Sequence, residues 1–302
     1  MKLRALRLYI TGFIMGTADL IPGVSGGTIA FISGIYEELL ATIKIVTGTT
    51  LKHLLRLRVR EAFQSIPFAF GIPLGLGLLT AVFSLAQLIE HLINTHPTMV
   101  WAFFFGLVAA STYVVMKRVV RWDTQDYVAF VLTAVFAYIL VGGQAMEFPH
   151  STLTTFLSGA IAICAMILPG ISGSFILVLL GQYEYILNSV TNHDFATLLV
   201  FAAGAVLGIS FFARFLSWLF RKHHDISVAA LSGFMLGSLR KIWPFPGNTA
   251  ESFTNVWVWV LIIVGFALVL VLTKYHAIAE QTKDIDDPTF AKEHNASLRS
   301  QL

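Results

Sequence analysis

The chain reads as an all-α polytopic membrane protein, an inverted-topology tandem repeat in which each half has one re-entrant helical hairpin and about three transmembrane helices. Three observations predict this. Of 302 residues, 56% are hydrophobic and only 12% charged, whereas about a quarter of a soluble domain is charged. The segment Pro22-Gly23-Val24-Ser25-Gly26-Gly27 returns as Pro169-Gly170-Ile171-Ser172-Gly173-Ser174. The same register pairs Gly12 with Gly159, Ala18 with Ala165, Ile29 with Ile176, Gly34 with Gly181, Tyr36 with Tyr183 and Glu37 with Glu184. Lysines and arginines, finally, collect in alternate loops.

The first repeat is expected over residues 1–145. Its apolar sequence begins after Lys2, Arg4 and Arg7 as a signal peptide would, but it has no small-residue cleavage site and carries the first proline-glycine segment, so it belongs to the fold. The re-entrant hairpin is placed at about 9–43. An arm over residues 9–21 would extend only about 20 Å at 1.5 Å per residue, and Pro22, lacking an N–H, stops the helix inside the bilayer. Spans follow at 66–89, 98–116 and 126–142, each long enough or nearly so for a hydrocarbon core of about 30 Å. The second repeat, residues 150–275, repeats the scheme with a hairpin at about 154–188 and spans at 196–220, 226–243 and 256–273. Residues 277–302 are polar and read as a cytoplasmic tail.

Basic residues set the orientation, because cytoplasmic loops accumulate them. If the first hairpin returns to its own side, Arg4, Arg7, Lys44, Lys52, Arg56, Arg58, Arg60, Lys117, Arg118, Arg121, Arg221, Lys222 and Lys274 share one face. The intervening loops then contain neither lysine nor arginine; Arg240 and Lys241 are the exceptions. Both termini are therefore expected in the cytoplasm, and the second repeat is inverted relative to the first, the pattern of an alternating-access carrier.

Broken helices at membrane depth need polar partners, so a matched pair implies a shared polar cavity. Gly23, Gly26, Gly27, Gly170 and Gly173 would allow close backbone approach. Ser25, Thr28, Ser172 and Ser174 add hydroxyls, and the helix starts after the breaks favour an anion. The bland reading is that small residues simply let helices pack. Asp19, matched by Met166 in the second half, is a candidate for proton coupling or for capping the broken helix. Glu37 and Glu184 are gating candidates, with solvated interfacial side chains as the plain alternative. Arg214, Arg240 and Lys241 are candidate phosphate contacts, although Arg214 lies where it could snorkel outward.

Other chemistries find less support. The lone Cys164 offers neither a disulfide nor a thiolate metal site. The histidines lie in loops or at span ends without metal-ligand spacing, and there is no nucleic-acid motif. Gly23-Val24-Ser25-Gly26 and its echo match the Gly-x-Ser-Gly pattern of intramembrane serine proteases, but no histidine occupies the middle of a later span to serve as base. No enzyme, cofactor or metal is expected.

The run Gly16-Thr17-Ala18-Asp19-Leu20-Ile21-Pro22-Gly23-Val24-Ser25-Gly26-Gly27-Thr28, with Leu168-Pro169-Gly170-Ile171-Ser172-Gly173-Ser174, closely resembles the bacterial polyprenyl-phosphate transporter (PopT) family over roughly residues 5–275. That resemblance implies a protein of the bacterial cytoplasmic membrane whose partners are membrane lipids and whose substrate is undecaprenyl phosphate, returned from the outer to the inner leaflet. A carrier or channel for a small anion or ion, using the same paired breaks, is the alternative.

Overall fold

The computed structural model describes residues 2–21, 24–146, 148–245 and 254–286, with the backbone alone for Lys2 and over 275–286. Pro22, Gly23 and most of the expected tail lie outside the described residues. Among those described, all regular structure is helical.

Helix α1 (Lys2–Asp19) leads to the first break, followed by the short α2 (Gly26–Ile32) and α3 (Tyr36–Lys44). A π-helical turn (Ile45–Thr50), α4 (Leu51–Leu55) and α5 (Val59–Ser65) then precede the long α6 (Phe68–Thr95), α7 (Pro97–Met116) and α8 (Thr124–Val141). Beyond this, α9 (Thr152–Ile167) leads to the second break, α10 (Gly173–Leu179) and α11 (Tyr183–Thr191). The remainder comprises α12 (Phe195–Lys222), α13 (His224–Ser238), a 3-10 turn (Leu239–Ile242) and α14 (Val256–Asp286).

Element lengths recur along the chain. Helices α2 and α10 each have seven residues, α3 and α11 nine, α6 and α12 twenty-eight. The hairpin elements keep the register of the sequence echo, but the long helices do not, because residues 45–67 separate α3 from α6 while only 192–194 separate α11 from α12. The π turn, α4 and α5 thus occupy a segment that the second half lacks.

Five helices are long and apolar enough to cross a membrane: α6, α7, α8, α12 and the Val256–Lys274 part of α14. The stretch 226–243, expected as a sixth span, differs. There α13 has fifteen residues, about 22 Å of helix, and the chain tightens into the 3-10 turn before Pro244, which has no N–H to continue it.

The helices pack in matched pairs. Helix α1 lies along α6 and α9 along α12, whereas α8 packs on α13 and α14 on α7, so the third long helix of each half lies on the other half. Glycine makes the closest approaches possible. A Cβ on Gly77 would run into the carbonyl oxygen of Tyr9, and one on Gly204 into that of Phe156, the corresponding contact in the α9–α12 pair. The main core joins Met15, Ile21, Val24, Ile29, Val108, Val115, Leu216 and Met235, placing the first hairpin at the centre of the molecule. A smaller core around Ala165, Ile171, Phe175 and Phe234 seats the second.

Candidate functional site

Helix α1 ends where Asp19 turns back on the next helix. Its Oδ1 accepts from the Gly26 N–H at 2.6 Å, and Ser25, the N-cap of α2, accepts from the Gly27 N–H at 3.1 Å. Two of the orphan donors at the start of α2 are thereby met by the protein's own oxygens. A Cβ on Gly26 would sit 2.5 Å from the Asp19 carboxylate, which gives the glycine a specific reason. The aspartate therefore makes the capping contact, seven residues from its partner across the break.

The first break also serves the second half. Helix α9 ends with free carbonyls, and the Ser25 hydroxyl lies 3.3 Å from Met166 O and 3.2 Å from Leu168 O, while the Tyr36 hydroxyl donates to Ile167 O at 3.2 Å. A Cβ on Gly27 would come within 2.6 Å of that same Ile167 oxygen. The two proline-glycine segments are consequently neighbours, joined through Ser25 and Leu168. Thr28 is fully buried and its hydroxyl has no hydrogen-bond partner, leaving it the spare polar group of the first break.

At the second break Met166 stands where Asp19 stands in the first, and among the described residues no carboxylate hydrogen-bonds the start of α10. Ser172 is the N-cap, its Oγ 2.6 Å from the Ser174 Oγ. Ser172 is buried, whereas Ser174 and Lys241 are exposed. Gly170 takes a left-handed φ of +96° and lies so close to α13 that a Cβ there would meet the Ser238 Oγ at 2.7 Å. Gly173 has its own close neighbour, Ala162 O at 2.7 Å from a built Cβ. The Lys241 ammonium rests 4.3 Å from the centroid of the Phe175 ring, one residue beyond Ser174. Two hydroxyls thus stand at the second break and a cation over the Phe175 ring in the first turn of α10, against a carboxylate at the first break.

The remaining candidates separate from this centre. Arg240 donates to Tyr138 O at 2.9 Å, lies 4.3 Å over the Tyr138 ring and abuts Gly142, so it caps the C-terminal end of α8. Glu37 and Glu184 are exposed in the first turns of α3 and α11. Arg214 donates to Ser210 O at 3.0 Å and faces the π turn.

Two groups of residues escaped the sequence reading. Arg7 donates to Ser33 O and Arg118 to Ile32 O, at 3.2 and 3.0 Å, closing the C-terminal end of α2, where Arg118 also lies 5.4 Å over the Phe31 ring. Gln182 is fully buried, donates to Phe148 O at 3.1 Å and braces the turn between α10 and α11. A glutamine inside an apolar hairpin is a legible signal, while the reach of the two arginines depends on tertiary packing.

Residues 15–257 match the family model described as undecaprenyl phosphate translocase-like, a range that includes both breaks. A polyprenyl-phosphate transporter of Vibrio cholerae serotype O1 is 42% identical over 240 residues, covering 80% of this chain and 78% of the relative. One from Staphylococcus aureus is 31% identical over 287 residues, covering 89% and 96%. No solved structure matches the chain. A multi-pass helical protein with paired breaks, matched across most of its length, the chain belongs to the undecaprenyl phosphate translocase-like family.

Proposed function

We propose that the protein is a polyprenyl-phosphate translocase of the bacterial cytoplasmic membrane, recycling undecaprenyl phosphate from the outer to the inner leaflet by alternating access. The observation that carries this reading is the 42% identity to a polyprenyl-phosphate transporter over four fifths of the chain. In this proposal residues 1–145 and 150–275 are inverted repeats, and their hairpins enter from opposite faces.

The unequal breaks support a particular place for the head group. In the first, the Asp19 carboxylate already occupies the Gly26 N–H, and a phosphate there would meet a like charge. The second offers the Ser172 and Ser174 hydroxyls with Lys241 at hand. The phosphate accordingly sits at the second break, with Gly170 and Gly173 keeping the approach narrow, while Ser25, Gly26 and Gly27 serve chiefly as its structural support and Thr28 offers a hydroxyl. Gly23 lies outside the described residues and keeps its place in the motif only. The isoprenoid tail stays in lipid as the head crosses.

Liposomes with undecaprenyl phosphate placed in one leaflet test the proposal through head-group accessibility over time. Wild-type protein should equilibrate the leaflets. Lys241→Gln should weaken head-group binding by roughly tenfold or more, the loss of one charge-assisted contact of about 1.5–3 kcal/mol. Unchanged accessibility with folded wild-type protein would leave the small-anion carrier in its place.

A further inference from the structure

The extra segment of the first half forms a second basic centre. We propose that the π turn and α4, together with Arg214 of α12, build a binding site for a phosphate monoester. A pocket of about 480 Å³ is lined there by Lys44, Thr49, Lys52, His53, Arg56 and Arg214. His53 faces Glu61 at 3.1 Å. Among the described residues, no carboxylate lies within ion-pair distance of Lys44, Lys52, Arg56 or Arg214. Four like charges around one hollow repel each other, and an anion between them removes that cost.

The surrounding backbone is constructed for this convergence. Gly48 lies in the π turn, where the wider coil opens the helix, and a Cβ there would come 3.0 Å from Arg214 Nη2. The guanidinium is held from its other side by Ser210 O. Thr50 and Ser65 join their hydroxyls at 2.7 Å and tie α5 back to the π turn. Simple enrichment of positive charge on a cytoplasmic loop explains the number of basic residues, but not an arginine eight residues inside a long apolar helix directed at a glycine of the extra segment.

Charge selects the ligand. A phosphate monoester carries about −1.5 to −2 at neutral pH, a better match to four cations than the single charge of a phosphodiester. Leu54, Leu55, Leu57, Val59 and Phe63 of the same segment are exposed, giving it the mixed basic and apolar surface of an interfacial element. A lipid-borne monoester would find its tail accommodated there, and free inorganic phosphate would use the same cations. The site lies apart from the two breaks and stands whether or not the translocase reading holds.

Full-length protein in phosphatidylcholine nanodiscs, titrated with farnesyl phosphate and with inorganic phosphate, decides the matter. The double variant Lys52→Gln/Arg56→Gln should weaken binding by about tenfold or more, since each lost charged hydrogen bond is worth about a factor of ten. The charge-matched control Lys117→Gln/Arg121→Gln, outside the pocket, should stay within about twofold, as exposed charges contribute little. Arg214→Lys, which keeps the charge, separates lost binding from lost folding when compared with Arg214→Gln at equal thermal stability. Weakened binding of both probes in the pocket variant, or of farnesyl phosphate alone, supports the site: the first outcome shows that the phosphate suffices, the second that the lipid tail is required. Equal loss in the control, no loss in the pocket variant, or displacement by phosphatidylglycerol as effective as by farnesyl phosphate would overturn it. Lys241→Gln measured in parallel reports on the break, so either site can fail without the other.

Discussion

The contact between Asp19 and the Gly26 N–H gives the first of two similar turns a carboxylate partner, at a position where the second has Met166. The N–H is buried at the start of a helix with no preceding carbonyl to satisfy it, and the carboxylate supplies that partner at 2.6 Å. Asp19→Ala should therefore cost about 1–3 kcal/mol of stability, the range for a buried donor left unpaired, whereas Asp19→Asn, which keeps an accepting oxygen, should cost less; thermal unfolding in detergent measures both. An aspartate near a helix start already suggests a cap in the sequence, but Ser25 reaching Leu168 does not, since that bond joins residues from different halves. At the exposed start of α12, Asp194 gives a cleaner pH prediction. The Thr197 hydroxyl and N–H donate to its carboxylate and hold its pKa below the ordinary 3.8. A depressed folded pKa contributes stability above the unfolded value, lost as pH falls through the folded one. The wild-type advantage over Asp194→Ala in thermal midpoint should thus be complete above pH 3.8 and fade below it.

Helices carry the next level of the design, and their lengths were largely legible because apolar runs and proline breaks are local properties. What sequence could not supply was their pairing. Span 226–243 looks continuous in hydropathy, yet the chain leaves the α-helix at Ser238, and Arg240 reaches Tyr138 O near the end of α8. The matched contacts at Gly77 and Gly204 test the pairing directly. Gly204→Leu forces a side chain against the Phe156 carbonyl in the interior of the α9–α12 contact, and overpacking of this kind costs about 1–3 kcal/mol or more. Gly34→Ala provides the contrast. Nothing lies within 4 Å of a Cβ there, so only its φ of +74° is penalised, about 1–2 kcal/mol for a left-handed residue. Reversible unfolding of both variants should rank Gly204→Leu as the more damaging, and the reverse order would mean that α9 and α12 separate easily.

At the scale of the whole molecule, the two halves share the short helices that follow their breaks but not the exposure of those helices. Tyr36 is 2% exposed and Leu40 1%, while their counterparts Tyr183 and Leu187 are 40% and 51% exposed. Helix α3 packs on α12, with Phe31, Tyr36 and Phe220 in mutual ring contact at 5.0 to 6.1 Å, and Arg7 and Arg118 close the same end. The second half has Thr154 and Phe245 at the corresponding positions, so that end lacks the arginine clasp. Under the alternating-access reading, this is the conformer closed at the first hairpin and open at the second. The opposite conformer would bring α11 onto α6, pairing Tyr183 with Ile93 as Tyr36 now pairs with Phe220. In a Cys164→Ser background, a short thiol cross-linker should join Tyr36→Cys to Phe220→Cys and stop translocation, with recovery when the link is cleaved. Tyr183→Cys and Ile93→Cys should cross-link only in molecules whose first pair is free, because one element cannot be docked at both ends in a two-state carrier. Cross-linking of both pairs in the same molecule, or full translocation with the first pair joined, would show that the hairpin ends do not exchange and that the head group crosses without rocking the halves.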